Sequence, residues 1–386
     1  TVRAVARIDH DALRANLARV REAAPSAGVM AVVKADAYGH GMTACAATLR
    51  DAGVPWLAVA FVAEALTLRA AGDRGRLLAL IVAPGDDLAA AVADDVDLAA
   101  GSPLQLARIA AAAAATGRRA RVHLELDTGL GRGGARADTW TALAEAALAA
   151  AADGLVEVVG LWSHLARADE PKQPSNDLQV AAFAAGVEQF AALGVHPEVR
   201  HLANSAATLT RPDAHHDLVR PGIALYGLSP GPGLGTAAAL GLRPVMTLSA
   251  AVSLTKPVGA GQGISYGHRY LTREDTRVAV VPLGYGDGVP RHATNAAQVL
   301  LGGRRHRVAG TVCMDQFVLD IGGAPVADGD TAVLFGPGDD GEPSADEWGA
   351  ACGTIGYEIV TRVGPRVPRE HVGATPDAGS AATEVR

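Results

Sequence analysis

The sequence predicts an α/β protein in two parts: an N-terminal (β/α)8 barrel of the TIM type, followed by a mostly antiparallel β-domain. Three observations carry this. Eight short apolar runs alternate with helical stretches between residues 29 and 227, the texture changes to glycine-punctuated strands after Gly227, and 386 residues exceed one comfortable core.

The eight runs are "VMAVVKA", "WLAVA" (56–60), "LLALIVA" (77–83), "VDLAA" (96–100), "RVHLELD" (121–127), "VEVVGLWSH" (156–164), "VRHLAN" (199–204) and "LVRPGIALYG" (218–227). Stretches such as "DTWTALAEAALAAAADG" separate them, with Leu and Ala at helical spacing. Eight strand-helix units over about 200 residues fit a closed parallel barrel, and an open doubly wound sheet is the structural alternative. "LSPGPGLGTAAALGLRP" reads as the connection between domains. Beyond it, "VMTLSAAVSLTKPV", "RVAVVPLGYGDG", "QVLLGGRRHRVAGTVCMDQFVLDIG" and "DTAVLFGPGDDGE" are strands with glycine turns. The expected boundaries are 1–235 for the barrel and 236–386 for the β-domain. Residues 1–8 alternate like a strand that pairs with the second domain, and the tail after about residue 370 is expected to be mobile.

Composition narrows the partners. Apolar residues make up 49% of the chain and the formal net charge is -7, with no basic cluster or aromatic platform, so no nucleic acid is expected. The start lacks the pattern of a signal peptide, and the alanine runs fall short of the ~20 residues of a membrane span. A cytoplasmic protein is expected. Cys45, Cys313 and Cys352 give neither a disulfide framework nor zinc-ligand spacing, and no metal is expected.

The chemistry starts from "VMAVVKADAYGHG", where one of only three lysines in the chain, Lys34, ends the first barrel strand. Parallel barrels carry their sites at the carboxyl ends of the strands. An amine in apolar surroundings has a lowered pKa and can attack a carbonyl to form a Schiff base. A rim lysine with a packed stem and solvated head is an equally open reading of Lys34 alone. Other strand ends bring His164, Asn204, Ser205 and Arg220 to the same face, the last just before Gly222 and Ile223. Backbone N–H groups around a glycine, with a serine hydroxyl nearby, make a phosphate cradle. Schiff-base lysine, cradle and converging polar groups together point to pyridoxal 5'-phosphate. Five of the six tyrosines adjoin a glycine, namely Tyr38, Tyr226, Tyr266, Tyr285 and Tyr357, so several hydroxyls are candidates to enter a site.

"AVVKADAYGHG", "DTGLGR", "HLANSAAT", "RPGIALYG", "ISYGHRY", "PLGYGDG" and "CMDQFVLDI" resemble the alanine racemases in order and spacing, from near the first residue to about residue 365. The resemblance implies a pyridoxal 5'-phosphate enzyme that interconverts L- and D-alanine for peptidoglycan, working as a homodimer whose sites are shared between subunits. By that resemblance Lys34 is the cofactor-anchoring lysine and one catalytic base, and Tyr266 is the other, presented by the partner chain. Tyr38, Ser205, Gly222, Ile223 and Tyr357 resemble the phosphate-binding positions, with Asn204 beside them. Arg220 resembles the arginine facing the pyridine nitrogen, supported by His164. Arg132 resembles the one near the phenolic oxygen and the substrate carboxylate, and Met314, Asp315 and Tyr285 resemble the partner-chain lining of the substrate entrance.

An arginine cannot readily give its proton to the pyridine nitrogen. The ring is then a weak electron sink, and proton removal and return must be closely coupled on opposite faces, which suits two bases. One position departs from the family pattern: where many members carry a lysine that becomes a carbamate, "HLELDTGLGR" has Glu125. Glu125 is expected to supply the same negative charge and to orient Arg132 by a charge-assisted hydrogen bond. A racemase of broader range, acting on serine, lysine or arginine, is the alternative within the fold. A non-catalytic cofactor carrier resembles the barrel alone, and a barrel-type decarboxylase would release carbon dioxide.

Overall fold

The computed structural model describes residues 2–373. The first strand, β1 (Ala4–Asp9), runs directly into helix His10–Ala23, because Asp9 caps it by accepting from the N–H groups of Asp11 and Ala12 at 2.9 and 3.1 Å. Eight parallel strands follow: β2 (Gly28–Val32), β3 (Trp56–Phe61), β4 (Arg76–Ile81), β5 (Asp97–Ala100), β6 (Ala120–Glu125), β7 (Val156–Trp162), β8 (Val199–His201) and β9 (Leu218–Val219). They hydrogen-bond in chain order, and β2 pairs back to β9 to close the barrel. The open-sheet alternative is thereby excluded.

The intervening helices carry legible stop and start signals. Helix Pro103–Thr116 starts on Ser102, whose hydroxyl accepts from Gln105, has proline in its first turn, and ends at Gly117 in the left-handed conformation. Its Leu106, Ile109, Ala110 and Ala113 are buried at helical spacing, which seats it on the barrel.

The remaining strands are β10 (Met246–Ala251), β11 (Leu254–Val258), β12 (Gly263–Ile264), β13 (Tyr270–Leu271), β14 (Thr276–Val281), β15 (Gln298–Leu301), β16 (Arg304–Arg307), β17 (Phe317–Asp320), β18 (Thr331–Phe335) and β19 (Arg369–Val372). A six-stranded sheet has the order β16-β15-β18-β10-β1-β19, beside a three-stranded sheet β11-β14-β17 and a hairpin β12-β13. All pairs among them are antiparallel except β1 with β19. The first strand of the chain thus lies between β10 and the last strand. Glu370–Val372 are held in β19, and the rest of the tail expected to be mobile, 374–386, lies outside the described residues.

Candidate active site

Lys34 follows β2 at the barrel mouth and lines a cavity of about 1560 Å³ that extends toward the β-domain. Burial lowers its pKa, Arg132 and Arg220 push the same way, and Glu64 opposes them. Its amine makes no hydrogen bond or ion pair among the described residues. Lys34 thus presents a half-buried, unpartnered amine to the cavity.

The chain leaves Lys34 through an uncommon turn. Ala35, Asp36, Ala37 and Tyr38 all have φ between 52° and 54°, a left-handed run that costs roughly 1–2 kcal/mol per residue without glycine. Specific bonds hold it. Ala35 N–H donates to Glu64 Oε1 at 2.6 Å, Met42 N–H to Asp36 Oδ1 at 2.7 Å, and His40 Nδ1 lies 2.9 Å from the carbonyls of both Ala37 and Tyr38. At Gly39 (φ 82°) a Cβ would run into the Val360 carbonyl. The turn folds Tyr38 back into the cavity, with its hydroxyl over Gly222 in the space a Cβ there would fill.

That hydroxyl completes a cradle. Ser205 Oγ accepts from Gly222 N–H at 2.8 Å and from Ala224 N–H at 3.3 Å, beside Ile223 at the cavity wall. Tyr357 donates to the Pro230 carbonyl at 3.2 Å, and its ring lies 6.2 Å from that of Tyr38. Burial raises the pKa of both phenols, so they are present as donors. Asn204 lines the cavity, but its Oδ1 is used to cap helix Ser205–Thr210 through Ala207 N–H at 3.1 Å.

Arg220 is 4% exposed. Its Nη2 donates to the Ser163 carbonyl at 2.7 Å and to His164 Nδ1 at 3.1 Å, and its Nη1 to the His201 carbonyl at 2.8 Å and to His201 Nδ1 at 3.0 Å. The guanidinium lies 4.9 Å from the centre of the Trp162 ring. Burial lowers it to about 9, which leaves it charged at neutral pH. A guanidinium only donates, so His164 Nδ1 accepts and its Nε2 carries the proton. Burial and the flanking cations hold His164 neutral.

Arg132 and Glu125 both line the cavity, yet no hydrogen bond or ion pair joins them. The charge-assisted bond expected from the sequence is therefore corrected. The Glu125 carboxyl is packed into the space left by Gly133, and burial raises its pKa to about 7 against the pull of Arg132 and Arg220.

Tyr266, Tyr285 and Met314 are 74%, 43% and 52% exposed on the β-domain, and Asp315 is tied to Arg366 Nη2 at 2.7 Å. None of the four lines the cavity that holds Lys34. Tyr266 sits on a pinned turn: Ser265 has φ 61°, Ser265 Oγ donates to the Thr311 carbonyl at 2.6 Å, and Thr311 Oγ1 donates to the Tyr266 carbonyl at 2.7 Å. Sequence reading missed His123, His201 and Asp97, which the closed barrel buries beneath Arg220. Only Asp97 stands alone as the polar residue of an apolar strand, whereas His123 shares β6 with Arg121 and Glu125 and His201 follows Arg200 in β8, so the two histidines carried no distinct signal.

Comparison with known proteins agrees with this geometry. The family models described as alanine racemase, N-terminal domain, and alanine racemase, C-terminal domain, match residues 8–230 and 245–371. The chain is 57% identical over 371 residues to the alanine racemase of Frankia casuarinae, covering 96% of this chain and 97% of that one. It is 55% identical over 371 residues to that of Thermobifida fusca, covering 96% and 98%. Among solved structures, alanine racemase from Streptomyces coelicolor A3(2) superposes with a TM-score of 0.94 at 52% identity, covering 96% of this chain and 98% of that one. The alanine racemase of D-cycloserine-producing Streptomyces lavendulae gives 0.95 at 50% identity, covering 97% and 98%. Two family models in tandem, and relatives matched over nearly their whole length, place this chain in the alanine racemase family.

Proposed function

We propose that this chain interconverts L- and D-alanine with pyridoxal 5'-phosphate held in the barrel mouth, Lys34 exchanging a proton on one face of the substrate and Tyr266 of the partner subunit on the other. The observation that carries the reading is one cavity holding an unpartnered amine of lowered pKa, a buried donor-only guanidinium and the Ser205–Gly222–Tyr38 cradle. These residues fit the cofactor: Lys34 would anchor its aldehyde carbon, Tyr38, Ser205, Gly222, Ile223 and Tyr357 its phosphate, and Arg220 its ring nitrogen, with Asn204 bracing the cradle. When bound, the cofactor supplies an electron sink that acidifies the substrate's Cα–H.

The protein's own groups do the rest. Arg220 offers a hydrogen bond and keeps its proton, so the sink stays weak and the two bases must act in close succession. Arg132 takes the substrate carboxylate, and Glu125 gives it a nearby negative charge when ionised. His164, with its proton fixed on Nε2 by Arg220, supports that arginine at the cavity wall. Met314, Asp315 and Tyr285 of a second copy line the substrate entrance, so the working unit is a homodimer. Of the two units, 1–235 carries the cofactor in its barrel while its first strand pairs with the β-domain, and 236–386 carries the second base. D-Alanine made in the cytoplasm then supplies peptidoglycan. Among the described residues no helix is long and apolar enough to cross a membrane.

The test is to incubate the cofactor-loaded protein with L-alanine in heavy water and follow enantiomer and α-deuterium together. D-Alanine carrying deuterium is expected, and Tyr266→Phe is expected to suppress it. Absence of both product and exchange overturns alanine as substrate and turns the search to serine, lysine and arginine.

A further inference from the structure

Beneath Arg220 a line of buried polar side chains descends through the barrel interior, and its protons can be placed one by one. Arg220 Nη1 meets His201 Nδ1 at 3.0 Å. Because a guanidinium can only donate, His201 Nδ1 accepts and the proton of that imidazole sits on Nε2. His201 Nε2 lies 2.9 Å from His123 Nδ1, which must therefore accept in turn. The proton of His123 is then on its Nε2, which faces Asp97 Oδ2 at 3.3 Å. Each imidazole takes one hydrogen bond and gives one, always away from Arg220. Neither ring can carry a second proton without setting N–H against N–H.

The far end is a carboxylate with 0% exposure. Asp97 Oδ1 accepts from Arg121 Nε at 2.5 Å and Oδ2 from Arg76 Nη2 at 2.9 Å, near the amino ends of the strands. The line thus joins an anion near one end of the barrel to the buried cation at the other. The rings are fenced in place. Trp162 lies parallel to His201 at 5.8 Å and 9°, Trp56 meets His123 edge-on at 5.4 Å, and a Cβ at Gly160 would fall on His123 Nδ1. A residue without a side chain faces His123 across β6 and β7, where the register pairs the two.

We propose that Asp97, His123 and His201 form a one-directional positioning relay through the barrel that fixes the orientation in which Arg220 meets the cofactor. The proposal rests on the reading of Arg220 as the group facing the cofactor ring. With His201 in the other tautomer, an N–H would confront Nη1 and turn the guanidinium out of its place. The acceptor at His201 Nδ1 is secured only while His123 and Asp97 accept below it. None of the three touches the substrate or lines the cavity, so each acts through Arg220.

The test joins a spectroscopic and a kinetic reading on the holoenzyme. In histidine-selective ¹⁵N spectra, His201 and His123 are expected to show an unprotonated Nδ1 and a protonated Nε2. His123→Phe removes the acceptor beneath His201, whereas His123→Gln restores one acceptor and one donor. The first is expected to lower kcat roughly 10- to 100-fold, in proportion to displacement of Arg220, with KM little changed. The second is expected to recover most of that loss and the His201 tautomer. If His123→Phe does not fold, Gly160→Ala displaces His123 with every donor and acceptor retained, and should shift the His201 nitrogen signals and kcat together. A protonated Nδ1 on His201, or equal losses in the Phe and Gln variants that track only folded protein, would overturn the relay. Wild-type turnover of L-alanine tests the activity separately, so the spectra can fail or hold independently of it.

Discussion

At Glu125 a single side chain links stability, pH and chemistry. A carboxyl whose pKa rises from 4.5 to about 7 on folding binds more protons folded than unfolded. It therefore imposes no penalty below the unfolded value and its full penalty above about 7, roughly 3 kcal/mol. Stability falls as the pH climbs through that window. Glu125→Gln has no proton to lose, so its unfolding free energy should match the wild type near pH 4.5 and exceed it by pH 8. Paired urea titrations across the range check this, and parallel curves would refute it. Activity should move the opposite way. Above pH 7 the wild-type carboxylate attracts Arg132 and the amide does not, so the variant should lose more turnover at pH 8 than at pH 6.

At the scale of one element, the left-handed turn after Lys34 decides where the amine and the Tyr38 hydroxyl lie. Glu64 holds it from the next strand-helix unit, accepting from the N–H groups of Ala35, Ala60 and Phe61 at 2.6, 2.8 and 3.1 Å. Glu64→Ala removes three bonds to one charged acceptor and is expected to cost roughly 2–4 kcal/mol, discounted for partial exposure. Turnover should fall further than folded fraction, because Lys34 loses its anchor. An unchanged unfolding midpoint with unchanged turnover would show that the turn holds itself. None of this was legible in "VMAVVKADAYGHG". Alanine, aspartate and tyrosine disfavour φ > 0, and the bonds made by Glu64, His40 and the Asp36–Met42 pair override that preference. The barrel strands were legible because parallel strands buried on both faces read as continuous apolar runs. The last run, "LVRPGIALYG", keeps only Leu218–Val219 as strand: Pro221 has no N–H to donate, and the chain turns at Ile223–Tyr226. His123, His201 and Asp97 stand on three different strands, and only closure of the barrel shows that they meet.

For the whole molecule, the telling fact is a division of the machinery. Lys34, Arg220 and the cradle share one cavity, while Tyr266, exposed on a turn braced by Ser265 and Thr311, does not line it. Tyr266 is 74% exposed, and its hydroxyl makes no hydrogen bond among the described residues. If it completes the site of a second copy, Lys34→Ala and Tyr266→Phe damage the same site from different chains. Each variant alone should be inactive or severely impaired. Mixed and allowed to exchange subunits, they form hybrids in which one site holds both lesions and the other holds neither. With random exchange half the dimers are hybrids with one intact site of two, so activity should return to about a quarter of wild type. If Tyr266 served its own chain, every site in the hybrid would lack one base and mixing would restore nothing. A cross-subunit site therefore predicts recovery, and a self-contained one predicts none, from the same two inactive proteins.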